Sequence, residues 1–167
     1  MIKFTDLVEE SYLDSNNAPL YHYTNIIQFI DIFEKNILNR GDFENPINKE
    51  NLKIVSLTRN PKLDMSYYKF DLDVVLELNK DLLMKNYKII PYDYFINKGV
   101  EDNPKSSLKR KEPFEFEEII LSDVSNLDRY LISINFINNS IFYKDILNIL
   151  PKIKDKNIKI YNNGKEF

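Results

Sequence analysis

An α+β domain is predicted from three features of the sequence. Strand-like runs outnumber helical ones and gather after residue 53, two amphipathic helices lie outside that cluster, and no regular βαβ alternation joins them. Runs such as Asp73-Val74-Val75-Leu76-Glu77-Leu78 and Leu131 to Ile137 are rich in the branched and aromatic side chains that suit a pleated surface. A chain of 167 residues, 43% of them apolar, can bury one core but hardly two, and it holds no internal repeat or low-complexity linker, so residues 1–167 are expected to form a single domain.

Phe4, Leu7, Val8 and Tyr12 recur at helical spacing, with Thr5 or Asp6 able to cap the turn, and Asp14 to Pro19 breaks that helix. Leu20 to Tyr23 reads as a strand. Thr24 is placed to accept backbone N–H groups as the N-cap of a helix over 25–37, whose apolar stripe is Ile26, Phe29, Ile30, Phe33 and Ile37. Gly41 is expected to supply the turn out of it, and polar residues 42–52 a loop.

Lys53 to Thr58 reads as the next strand, closed by Arg59-Asn60-Pro61, because a residue before proline is pushed out of the helical region. Asp73 to Leu78 follows, and Asn79 caps a short helix over Lys80 to Met84. Lys88 to Tyr92 is an edge strand, since Pro91 has no N–H for a central ladder. Residues 97–113 are charged and turn-rich, hence a surface loop. Phe114 to Leu121 is a strand, Asn126 to Tyr130 a helical turn, Leu131 to Ile137 a strand, Tyr143 to Ile153 a helix ended or interrupted near Pro151, and Ile158 to Tyr161 a last strand.

Composition excludes several kinds of chemistry. With no cysteine there is no disulfide, thiolate metal site or thiol nucleophile, and a single histidine rules out a multi-histidine metal site. A net charge of -3 argues against a dedicated polyanion binder. No stretch approaches the roughly 20 apolar residues of a membrane span, and the first residues turn acidic at Glu9-Glu10 without a signal-peptide core, so a cytoplasmic protein is expected.

Three short segments carry chemistry. Tyr21-His22-Tyr23-Thr24 frames the one histidine with aromatic faces, so an imidazole held by the backbone at one nitrogen can donate to a ribose hydroxyl with the other. A histidine packed among aromatics gives the same pattern. In Ser56-Leu57-Thr58-Arg59 two hydroxyls share one strand face, and an arginine at the strand end suits a pyrophosphate, which it grips through two parallel hydrogen bonds; a wetted strand face with Arg59 in solvent is the alternative. In Glu115-Phe116-Glu117-Glu118 alternation sets Glu115 and Glu117 on one face and Glu118 on the other. Three glutamates in four strand positions call for compensation, which either a carboxylate steadying charge on a reacting ribose or a solvated edge would provide.

Taken in order, a His strand leading into a capped helix, a strand ending in Thr-Arg and a strand carrying Glu-x-Glu resemble the His-containing class of the ADP-ribosyltransferase superfamily. That class includes tRNA 2′-phosphotransferases, DarT-type toxins that modify DNA, and ADP-ribosyltransferase-like proteins of phages. The resemblance spans about residues 20–136 and rests on a dozen or so positions. It implies a split β-sheet core with flanking helices and NAD as substrate. Tyr21, His22, Tyr23, Thr24, Ser56, Thr58 and Arg59 would line the cofactor site, with Tyr67 or Tyr68 as the aromatic that stacks on nicotinamide. Glu117 matches the catalytic glutamate by placement, with Glu118 one register step away and Glu115 as the companion carboxylate. The activity implied is ADP-ribosyl transfer to a protein or nucleic acid, as in phage or toxin effectors of this class, with Lys105, Lys109, Arg110 and Lys111 in a target-recognition loop. A catalytically inert relative that binds a partner or a nucleotide, and an enzyme acting on another nucleotide such as a 2′-phosphate, are the alternatives. The acceptor and the oligomeric state are not encoded in any motif.

Overall fold

The computed structural model describes residues 19–44, 51–59, 72–91 and 117–167, and their architecture is α+β with a sheet at its centre. Eleven strands are formed by these residues: β1 (Leu20–Thr24), β2 (Ile37–Leu38), β3 (Gly41–Glu44), β4 (Asn51–Thr58), β5 (Val74–Leu78), β6 (Ile89–Pro91), β7 (Glu117–Ile120), β8 (Val124–Ser125), β9 (Leu131–Phe136), β10 (Lys159–Asn162) and β11 (Lys165–Glu166). Three α-helices accompany them, α1 (Ile26–Lys35), α2 (Lys80–Met84) and α3 (Lys144–Lys154).

Nine of the strands make one sheet in the order β11-β10-β9-β5-β1-β4-β7-β6, with β3 beside β4, while β2 and β8 pair separately. All neighbours in the large sheet are antiparallel except β9 and β10. The β1–β5 ladder runs from Leu20↔Leu78 to Thr24↔Val74. Against β4, by contrast, β1 pairs at one position, Tyr21↔Thr58. The first half of β4 instead takes β3, from Gly41↔Ile54 to Glu44↔Asn51, and its second half takes β7, from Val55↔Ile120 to Thr58↔Glu117.

The core follows from alternation. Leu20 on β1 shares a face with Leu76 and Leu78 on β5 and, through register, Ile134 and Phe136 on β9, and these pack with Ile26, Phe29 and Ile32 of α1 and Ile146, Ile149, Leu150 and Ile153 of α3. Phe29 meets Phe136 edge to face, with ring centroids 5.5 Å apart. A smaller cluster, Ile54 and Ile119 with Phe43, Leu52 and Ile90 against them, is separate from it.

Several boundaries differ from those read in the sequence. Thr24 ends β1, where it pairs with Val74, and Asn25 is the N-cap of α1, accepting the Gln28 N–H at 2.8 Å. The helix stops at Lys35, because Asn36 adopts the left-handed conformation (φ 55°) and turns its N–H back to the carbonyls of Ile32 and Phe33. Ile37 therefore falls in β2, and Gly41 opens β3 where a loop was expected. Helix α3 runs through Pro151. The proline sits on the exposed face, while Ile146, Ile149, Leu150 and Ile153 anchor the buried one. β4 begins at Asn51, inside the expected loop, and β8 and β11 have no counterpart in the sequence reading. Two expectations hold: Asn79 caps α2 by accepting from Leu82 N–H at 3.0 Å, and Pro91 lies in β6 at the end of the sheet order. The expected N-terminal helix and the 97–113 loop lie outside the described residues.

Candidate functional site

Because β1 meets β4 at one residue pair while β4 is engaged by β3 further along, the two strands part and a cleft opens between them, α1 and β3. Its volume is about 590 Å³, within the range of small-molecule sites. His22 and Thr24 of β1, Gln28 of α1 and Ser56 of β4 line it with polar groups, and Ile27, Phe43 and Val55 with apolar ones.

His22 bridges the gap. Its Nδ1 lies 2.9 Å from the backbone oxygen of Ser56. A carbonyl can only accept, so Nδ1 carries the proton. Burial pushes the imidazole below its ordinary value of 6.5, and the contact with Ser56 offsets this only in part. The neutral ring, protonated on Nδ1, leaves Nε2 with a lone pair. The histidine can thus accept a hydrogen bond from a ligand hydroxyl, the reverse of the donating role expected from the sequence. Thr24 Oγ1 donates to Gln28 Oε1 at 3.1 Å, so it braces the first turn of α1 through a side chain although it does not cap the helix, and it leaves the Gln28 amide N–H groups for other partners.

The other sequence candidates are distributed differently. Tyr21 and Tyr23 alternate with His22 along β1, so they fall on the opposite face of the strand. Thr58 is buried at the single β1–β4 pairing. Arg59 and Glu118 are also buried, and they meet: Arg59 Nε lies 3.1 Å and Lys80 Nζ 3.0 Å from Glu118 Oε1. This ion cluster ties the end of β4 to β7 and to the start of α2. None of its three residues lines the cleft. Glu117 occupies the β7 position opposite Thr58. Glu115, Tyr67, Tyr68, Lys105, Lys109, Arg110 and Lys111 lie outside the described residues.

His22, Thr24 and Ser56 are therefore brought together, while Arg59 and Glu118 form a second centre with Lys80. Gln28, Arg40 and Phe43 are cleft residues that the sequence does not advertise. Gln28 could have been found from its place one helical turn after Thr24, whereas Arg40 and Phe43 enter the site only through the β3–β4 pairing. Among the described residues there is no group of His, Asp and Glu able to hold a metal ion, and no helix is long and apolar enough to cross a membrane. No protein-family model matches the chain, and no curated protein matches it by sequence.

Proposed function

We infer that the chain is an ADP-ribosyltransferase-like protein that binds NAD in the cleft between β1, β4 and α1 and transfers ADP-ribose to a macromolecule, protein or nucleic acid. One observation carries the inference: the one histidine bridges a parted strand pair with Nδ1 tied to Ser56 O, which leaves Nε2 as a fixed acceptor in a cleft of dinucleotide size. A ribose hydroxyl is a donor that fits it. The residues present also suit the rest of such a ligand, because Ile27, Phe43 and Val55 offer apolar surface for a flat ring and Gln28 offers amide donors.

NAD supplies the reactive bond between nicotinamide and ribose; the chain's part is to orient the ribose and to steady the charge that develops there. Glu118 is already engaged by Arg59 and Lys80, which favours Glu117 for the steadying role.

An inert binder of the same fold is the second reading. It is favoured by the absence of Arg59 and Glu118 from the cleft, since ligand binding through His22, Thr24 and Gln28 needs neither.

Mass spectrometry of NAD incubated with the protein, with and without cell lysate, tests both. Free nicotinamide together with ADP-ribose adducts on lysate macromolecules is the expected result. Saturable NAD binding with no nicotinamide release selects the inert binder, and no binding at all removes both readings.

A further inference from the structure

Arg40 lies between β2 and β3, where it lines the cleft beside Gly41 and Asp42. It is held from behind. Asp123 Oδ1 accepts from both the backbone N–H of Arg40, at 2.9 Å, and its Nε, at 3.1 Å, while Nη1 donates to Leu121 O at 3.1 Å. A guanidinium has five N–H donors in a rigid planar fork. Nε–H and one N–H of Nη1 are engaged, so three remain, and among the described residues none of these three has a hydrogen-bond partner.

The space beside it is open, since a Cβ built on Gly41 would meet nothing within 4 Å. Two carboxylates also reach this rim, but each has a lysine partner: Asp31 lies 2.6 Å from Lys35 Nζ and Asp42 3.9 Å from Lys53 Nζ. An arginine already oriented by its own backbone neighbours and an aspartate loses little side-chain freedom when it takes a bidentate anion.

The geometry points to Arg40 as the residue that receives a phosphate or pyrophosphate in this cleft, with Asp123 as its positioning residue. The assignment rests on the cleft being a nucleotide site, and it moves the anion contact from Arg59, which is buried against Glu118, to an arginine that lines the cleft. The hydrogen bonds from Arg40 lower the Asp123 carboxyl below its ordinary value, so it stays ionised.

The test compares ADP-ribose, inorganic pyrophosphate and nicotinamide riboside, which lacks a phosphate, in calorimetric titrations of the wild type and four variants. Arg40→Gln is expected to weaken ADP-ribose binding by about tenfold to a hundredfold, the loss of a charge-assisted contact, and to leave nicotinamide riboside unchanged. Arg40→Lys should recover only part of that loss, because it keeps the charge without the fork. Asp123→Ala should weaken ADP-ribose severalfold without touching nicotinamide riboside, and Asp123→Asn, which retains the acceptor oxygen, should restore most of it. As a check independent of any variant, the Arg40 Nε–H resonance of the wild type should shift on adding pyrophosphate.

Equal ADP-ribose affinity in the wild type and Arg40→Gln overturns the assignment while leaving the cleft as a nucleotide site. A pyrophosphate-induced shift at Arg40 without any NAD binding keeps the anion contact and removes the NAD proposal. A wild type that binds neither ADP-ribose nor pyrophosphate overturns both.

Discussion

Replacing Glu118 with glutamine removes a buried negative charge that both Arg59 and Lys80 contact. The three side chains are 4%, 7% and 11% exposed for Glu118, Arg59 and Lys80, so water cannot take over the role of the carboxylate. Breaking a buried ion pair in this way costs about 3–5 kcal/mol, because the partner cations lose a buried counter-charge. In a domain of this size each kcal/mol moves the melting temperature by about 2–4 °C, so a drop of roughly 6–20 °C is expected. Proximity alone would not give this: Lys35 and Asp31 are closer, at 2.6 Å, but about half exposed, and Lys35→Ala should cost no more than about 0.5 kcal/mol. The assay is urea and thermal denaturation of Glu118→Gln and Lys35→Ala, with Glu117→Gln alongside. Glu117→Gln is expected to keep its stability and lose turnover. A Glu118→Gln protein as stable as the wild type but without activity would refute the assignment of Glu118 to the ion cluster and return it to the chemistry.

Three further outcomes are expected. Since burial lowers the His22 pKa in the folded state, the unfolded chain binds more protons below about pH 6.5, so stability contributed by the neutral ring is present above that pH and is lost on acidification, with a slope of at most about 1.4 kcal/mol per pH unit for one proton; His22→Asn should flatten that part of a denaturation-against-pH profile, and an unchanged slope contradicts it. Asn25→Ala should cost about 1 kcal/mol in urea denaturation through loss of the α1 cap, whereas Thr24→Val, which leaves the cap in place, should cost less; the reverse order would restore Thr24 as the cap. Gly41→Leu, whose Cβ has open space around it, should fold normally and yet weaken NAD binding by filling the cleft, and calorimetry showing unaltered affinity would place the ligand elsewhere.

Much of the fold was legible because its signals are local. The apolar runs of β5 and β9, the Asn79 cap and the proline of an edge strand each follow from residues a few positions apart. The end of α1 departs from the expected boundary for a compositional reason. A chain with three glycines places asparagine in the left-handed conformation, at Asn36, Asn126, Asn138, Asn139, Asn157 and Asn163, so the helix stop lies at Asn36 rather than at Gly41. The pairs Ile37–Leu38 and Val124–Ser125 are too short to show any periodicity and become strands only by meeting each other.

The site divides in the same way. His22 was visible as a lone histidine on a strand ahead of a helix, and the structure gives it a partner, Ser56 O, that lies 34 positions away. Arg59 and Glu118 both carry charges that sequence alone assigns to solvent or ligand; the register Leu57↔Glu118, with Arg59 following, is what brings them together in the interior. Arg40 carried no signal at all, because its value depends on Asp123 and Leu121, more than 80 positions on.

The most direct test of the cleft as a NAD site uses the single imidazole itself. In a long-range proton–nitrogen correlation spectrum of 15N-labelled wild type at pH 7, the ring should appear neutral with Nδ1 protonated, and stepwise addition of NAD should shift Nε2 saturably while Nδ1 keeps its proton. Nitrogen shifts that stay fixed up to millimolar NAD, or a ring protonated on Nε2 in the free protein, would contradict the account.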